Sequence, residues 1–260
     1  MTMRKTLVLR AAGTSGDNET EHALRLAGAE VERVHVNHIA RDSDPFAGAG
    51  LLVLPGGLTY GDDVAAGKVL AVELTAILGE RLAAFVKKGG LILGIGNGFQ
   101  ALVKTGLLPY GEPRPAAERE FTFAPNDSRR FETRWVRLRA PERTTSLFVE
   151  AGEALELPVA CAEGKFVATT PEAIARLSAE NLVGYRYVAA DGGVAAYPAN
   201  PGGAADGIAA LSDASGRMFG MMAHPERHLF AWHHPRWTRE LQEGEVDGLR
   251  IFRRAVKACR

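Results

Sequence analysis

The chain has 260 residues, is rich in Ala, Gly, Leu and Val, and balances 31 Lys and Arg against 31 Asp and Glu. With no formal net charge, neither nucleic acid nor an anionic membrane surface is an expected partner. That length buries one large core or two small ones, and the expectation is a single domain over 1–260 with an appendage. No apolar run approaches the roughly 20 residues that span a bilayer. Residues Met1-Thr2-Met3-Arg4-Lys5 lack the apolar length and cleavage pattern of a signal peptide. Cys161 and Cys259 are the two cysteines, so no disulfide framework is expected and a reducing cytoplasm fits.

In chain order, Thr6–Arg10 reads as a strand and Glu19–Gly28 as a helix with an apolar face of Ala23, Leu24, Leu26 and Ala27. Val31–Val36 is a second strand, and Gly50–Leu54 is a continuous apolar run, as a strand buried on both faces should be. Pro55-Gly56-Gly57 stops it. Val69–Val86 is a long helix that ends at Lys87-Lys88-Gly89-Gly90, joining C-terminal positive charge to glycine stops. Leu91–Ile95 is the next buried strand, and an apolar, helix-like segment follows it. Strands that alternate with helices predict an α/β fold with a doubly wound, mostly parallel, flavodoxin-like sheet.

The pattern changes near Pro109. Residues 109–125 contain four prolines and no clear period, so a loop is expected there. Arg130–Leu138 alternates like a half-exposed antiparallel strand, and short strands are expected around 156–161, 182–189 and 208–212. Pro171–Ala179 reads as a short helix with proline at its start. Met218–Met222 is a last buried strand and Leu249–Ala258 a closing amphipathic helix. The antiparallel portion is expected to extend the same sheet system.

Three segments carry chemistry. Gly94-Ile95-Gly96-Asn97-Gly98-Phe99-Gln100 follows a buried strand and opens a helix, the layout of a nucleophile elbow. Its presenting position is Gly96, which has no side chain and no nucleophilic atom. Met221-Met222-Ala223-His224-Pro225-Glu226-Arg227 follows another buried strand. On extended backbone His224 and Glu226 share a side, and a carboxylate beside an imidazole fixes its tautomer and stabilises imidazolium. Pro55-Gly56-Gly57 lies at the carboxyl end of a third strand, where the amides of Gly57 and Asn97 are candidate oxyanion donors. Ligands of open α/β sheets bind at such strand ends.

These segments, in this order, resemble the class I glutamine amidotransferases, and longer motifs narrow the resemblance to the glutaminase subunit or domain of phosphoribosylformylglycinamidine synthase. Pro55-Gly56-Gly57-Leu58-Thr59-Tyr60-Gly61-Asp62 is similar to that family's P-G-G-F-S-Y-G-D. Residues 94–100 with Gly106-Leu107-Leu108-Pro109 are similar to G-I-C-N-G-F-Q…G-L-L-P, and residues 220–227 to G-M-M-P-H-P-E-R. Asn126-Asp127-Ser128, Arg130-Phe131-Glu132 and Tyr197–Pro201 also have counterparts, so the resemblance runs from about Leu7 to the final helix. It implies glutamine hydrolysis through a cysteine thioester, with ammonia passed to a synthetase subunit that uses ATP to make the formylglycinamide ribonucleotide amidine in purine biosynthesis. Residue by residue, it makes His224 the acid/base, Glu226 its orienter, Gly57 and Asn97 oxyanion donors, and Gln100 a substrate holder. The expected partners are the synthetase and a small third subunit. The expected cofactors, ATP and Mg, sit on the synthetase, and this chain holds none. The extent of the likeness favours a stand-alone subunit over a piece of a fused synthase.

The family's cysteine falls on Gly96, so this chain is expected to be inactive as a glutaminase. Elbow residues sit at strained backbone angles, and glycine is comfortable there. The alternative is a non-catalytic subunit of an ammonia-dependent synthase; an unrelated hydrolase meets the same missing nucleophile. Cys161 in Pro158-Val159-Ala160-Cys161-Ala162-Glu163-Gly164 stands where the family's P-x-A-H-G-E-G has histidine. It is not expected to replace the nucleophile, because a strand end brings neither a base nor a cation to favour thiolate. His228, His233 and His234 lack a matching ligand pattern and are expected at the surface without metal. Gly13-Thr14-Ser15-Gly16 lacks the lysine of a phosphate loop. Arg129, Arg130 and Arg134 are either a solvated strand face or a contact for an acidic partner.

Overall fold

The computed structural model describes residues 4–42, 44–239 and 244–259. Met1–Met3, considered above for a targeting signal, lie outside that range. The chain runs β1 (Lys5–Arg10), α1 (Asp17–Leu26), β2 (Val31–His35), α2 (Val36–Arg41), β3 (Ala49–Leu54), α3 (Lys68–Lys87), β4 (Leu91–Ile95), α4 (Asn97–Thr105) and the single turn α5 (Leu107–Tyr110). It continues with β5 (Phe121–Ala124), β6 (Glu132–Arg139), β7 (Ala154–Cys161), β8 (Lys165–Ala168), α6 (Pro171–Ala179), β9 (Val183–Val188), β10 (Ile208–Ser212), β11 (Met218–Met221) and α7 (Asp247–Ala258).

One nine-stranded sheet has the order β2-β1-β3-β4-β11-β10-β9-β6-β7. Its first five strands are parallel neighbours, and from β11 through β10, β9, β6 and β7 the pairing is antiparallel. This is the doubly wound sheet with an antiparallel extension that the element pattern predicts. The continuous apolar runs are the central strands: every residue of β4 is buried, and β3 is buried from Gly50 onward. Each fully buried Leu or Ile there contributes about 1.5–3 kcal/mol.

Helices α3 and α4 pack together, as do α1 and α7, and both pairs pack on the sheet. Helix α3 stops where Gly89 turns left-handed at φ 94°, its amide donating to Val86 O at 2.9 Å. Helix α7 buries Ile251, Phe252, Ala255 and Val256, and its Asp247 carboxylate accepts from Glu156 N at 2.7 Å, tying it to β7. Among the described residues no helix is long and apolar enough to cross a membrane.

The loop expected over 109–125 needs correction. Within it, Phe121–Ala124 form β5, which among the described residues pairs with β8 alone. A four-residue strand whose partner lies about forty residues away leaves no local period, and β8 and α2 escape for the same reason of brevity. The two-stranded β5–β8 sheet is built on a ring cluster: Phe121 stacks on Phe166 at 5.6 Å, and Phe99 of α4 meets Phe123 edge-on at 5.0 Å.

Candidate active site

Strands β3, β4 and β11 are neighbours, so their carboxyl ends bring the three chemistry-bearing segments together. Gly96 links β4 to α4 at φ 50° and ψ −109°, and its amide donates to Met221 O at 2.8 Å, which ties the elbow to β11. A Cβ on Gly96 would stand 2.9 Å from His224 Cε1 and 3.1 Å from His224 Nε2. The side-chain direction at this position therefore aims at the imidazole. Two residues on, a Cβ at Gly98 would overlap the Leu54 carbonyl, so the glycine lets α4 lie against β3.

His224 is held by its own amide, which donates to Pro158 O at 2.8 Å, and by its ring. His224 Nδ1 lies 2.7 Å from Glu226 Oε1, with both side chains buried. The Glu226 contact fixes the ring's orientation at Nδ1 and leaves Nε2 on the side that faces residue 96. Gly56 is pressed against the same ring, since a Cβ there would come within 2.6 Å of His224 Cε1. Gly57 has φ 143°, and among the described residues the amides of Gly57 and Asn97 make no turn, loop or cap hydrogen bond. The Asn97 side chain joins their two segments by accepting from Thr59 N at 3.4 Å. Gly56 and Gly96 thus both face the His224 ring, and the Asn97 side chain reaches the segment after β3.

A family model described as the CobB/CobQ-like glutamine amidotransferase domain matches residues 3–259. The phosphoribosylformylglycinamidine synthase subunit PurQ of Dehalococcoides mccartyi is 46% identical, over 100% of this chain and 99% of that protein. The PurQ subunit of Archaeoglobus fulgidus is 38% identical over 97% of this chain and 96% of its own. Among solved structures, PurLQS from Thermotoga maritima superposes with a TM-score of 0.73 at 27% identity, covering 98% of this chain and 99% of that one. The chain belongs to this glutamine amidotransferase family.

Gln100, expected above to hold substrate, has protein partners at both ends of its amide. Its Oε1 accepts from Asn97 Nδ2 at 3.1 Å and its Nε2 donates to Glu163 O at 2.7 Å. Two residues that the sequence pattern gave no role, Lys104 and Glu163, complete this region. The buried Lys104 ammonium donates to Ala66 O at 2.6 Å and lies 3.5 Å from Glu163 Oε2, which also accepts from Ala66 N at 3.0 Å. Burial lowers the Lys104 pKa and raises that of Asp62, whose Oδ1 accepts from Asn97 Nδ2 at 2.7 Å. The position of Glu163 inside the quoted 158–164 motif was the available signal; nothing local marked Lys104.

Cys161 is buried in the amidotransferase fold at the end of β7, and burial, then the nearby Glu132 charge, pushes its thiol up to about 12. It is held as thiol, and Cys259 is also free, buried and raised by burial. The surface placement expected for His228 and His234 is wrong. Both are buried, edge-on to Trp135 with ring centroids 4.9 and 4.7 Å away. The isolated tail sequence did not reveal that it folds back over β6. His233 is exposed. Among the described residues no group of three or more His, Cys, Asp or Glu is placed to hold a metal ion. Arg134 is not a free solvated cation: it pairs with Glu132 and stacks 5.0 Å over the Tyr197 ring.

Proposed function

We propose that this chain is the amidotransferase-type subunit of phosphoribosylformylglycinamidine synthase, one such domain over 1–260, and that with glycine at residue 96 it does not itself hydrolyse glutamine. The observation that carries this reading is the direction of the Gly96 Cβ vector, into His224 Nε2, while Glu226 holds Nδ1.

A cysteine at that position would pass its proton to Nε2, and the thiolate would bond to the side-chain amide carbon of glutamine. The amides of Gly57 and Asn97 would receive the oxyanion. Imidazolium, stabilised by Glu226, would then protonate the leaving ammonia and leave a thioester. In this chain the acid/base pair and the amide donors are in place, but no atom forms the bond to carbon. Neither cysteine substitutes, because both thiols are buried and protonated.

The relatives are subunits of the synthase by name, which supports a synthetase subunit as partner, with a small third subunit beside it. ATP and Mg then sit on the synthetase, this chain holds no cofactor, the complex takes free ammonia, and the compartment is the cytoplasm. Reconstitution with the synthetase tests this. Amidine formation is expected from ammonium salts and not from glutamine. Steady ammonia release from glutamine above a His224→Ala control would refute it.

A further inference from the structure

Around the elbow, hydrogen bonds form a closed ring that the chemistry above does not use. Asp62 accepts from Asn97 Nδ2, and Asn97 Nδ2 also donates to Gln100 Oε1. Gln100 Nε2 donates to Glu163 O, Glu163 Oε2 accepts from Ala66 N, and Gly67 N returns to Asp62 Oδ1 at 3.4 Å. Lys104, one turn beyond Gln100 on α4, bridges Ala66 O and the Glu163 carboxylate from below. The ring thereby fastens three separate segments to each other: the loop after β3, the start of α4, and the turn after β7. The loop it fastens is under tension, since Tyr60, Asp62 and Val64 all have φ between 55° and 69° without being glycine. On its near side the loop is held by Leu58 N and Tyr60 N, which donate to Gly13 O and Ala12 O, and the ring holds its far side.

We infer that Glu163 and Lys104 are positioning residues that hold the Gly57 and Asn97 amides in register with residue 96, with Gln100 as their link to Asn97. Neither touches the reacting atoms. Glu163 is the joint, because its carbonyl holds Gln100 and its carboxylate holds the Ala66 amide and the Lys104 ammonium. The inference rests on the elbow reading above. An amide donor that meets an oxyanion only in the transition state affects turnover and not ground-state binding. Disturbing the ring should therefore lower kcat and spare KM.

The test uses the full chain carrying Gly96→Cys, in complex with the synthetase subunit, with glutamine hydrolysis and labelling by an electrophilic glutamine analogue as readouts. Adding Glu163→Ala is expected to lower kcat about 10- to 100-fold, the loss typical of a misplaced donor, with KM for glutamine within about twofold. Glu163→Gln keeps an acceptor for the Ala66 amide and is expected to recover most of the rate. Melting curves confirm that the variants are folded at the assay temperature, and Lys104→Gln, with the same expected split, decides the matter should the alanine variant not fold. Unchanged kcat and labelling in the Glu163→Ala variant would overturn the inference alone. Equal changes in kcat and KM without rescue by glutamine would do the same. A Gly96→Cys parent that neither turns over nor labels would overturn the elbow reading and this inference with it.

Discussion

Gly96→Cys is the substitution on which the site geometry makes the sharpest statement. The backbone at residue 96, φ 50° and ψ −109°, lies where a residue with a Cβ is strained by about 1–3 kcal/mol. The new Cβ would stand 2.9 Å from His224 Cε1, so the imidazole must give by a few tenths of an ångström. For a domain of this size about 1 kcal/mol moves Tm by about 2–4 °C, and the variant is expected to melt about 2–12 °C lower than the parent. The gain is chemical. Loss of the nucleophile in a serine protease triad removes about 10⁶ in kcat, so restoring one here should raise glutamine hydrolysis from undetectable by about 10⁴- to 10⁶-fold. Ammonia release would be followed by a coupled glutamate dehydrogenase assay with the synthetase and ATP present, and the thioester by mass spectrometry of the intact chain. A folded variant with no thioester and no rate above the parent would show that the Gly96 Cβ direction does not lead to the substrate carbon.

Further outcomes follow from the same coordinates. In the Gly96→Cys background, Glu226→Gln is expected to lower kcat by about 10⁴-fold by releasing the imidazole tautomer, and a loss below tenfold would remove Glu226 from its orienting role. Gly98→Ala sets a methyl on the Leu54 carbonyl, and denaturant unfolding should report a loss of about 1–3 kcal/mol or more; an unchanged midpoint would contradict the packing of α4 on β3. Raising the Cys161 thiol from 9.0 to about 12 lowers its thiolate fraction about a thousandfold near pH 8, so iodoacetamide should label it in the native chain far more slowly than in urea. The same shift means that the native state retains a proton the unfolded chain releases. Stability from this group is complete below about pH 9 and falls as pH rises towards about 12. The parent should therefore lose melting temperature faster than Cys161→Ala between pH 9 and 11, and parallel curves would contradict this.

The sequence alone determined the elements whose signals are local. The apolar runs of β3 and β4 are buried on both faces, and a strand of that kind needs no knowledge of its neighbours to be recognised. The glycine and lysine stop of α3, the proline start of α6 and the two-residue spacing of His224 and Glu226 are likewise properties of adjacent residues. Motif order sufficed to name the family. What only the tertiary structure decided depends on groups distant along the chain. Strand β5 exists because β8 pairs with it. His228 and His234 are interior because Trp135 of β6 receives them. The amide of Gln100 is engaged because Glu163, 63 residues away, offers it a carbonyl. Burial and hydrogen-bond partnership are set by the sum of long-range contacts, and a side chain's own neighbours in sequence carry no record of them.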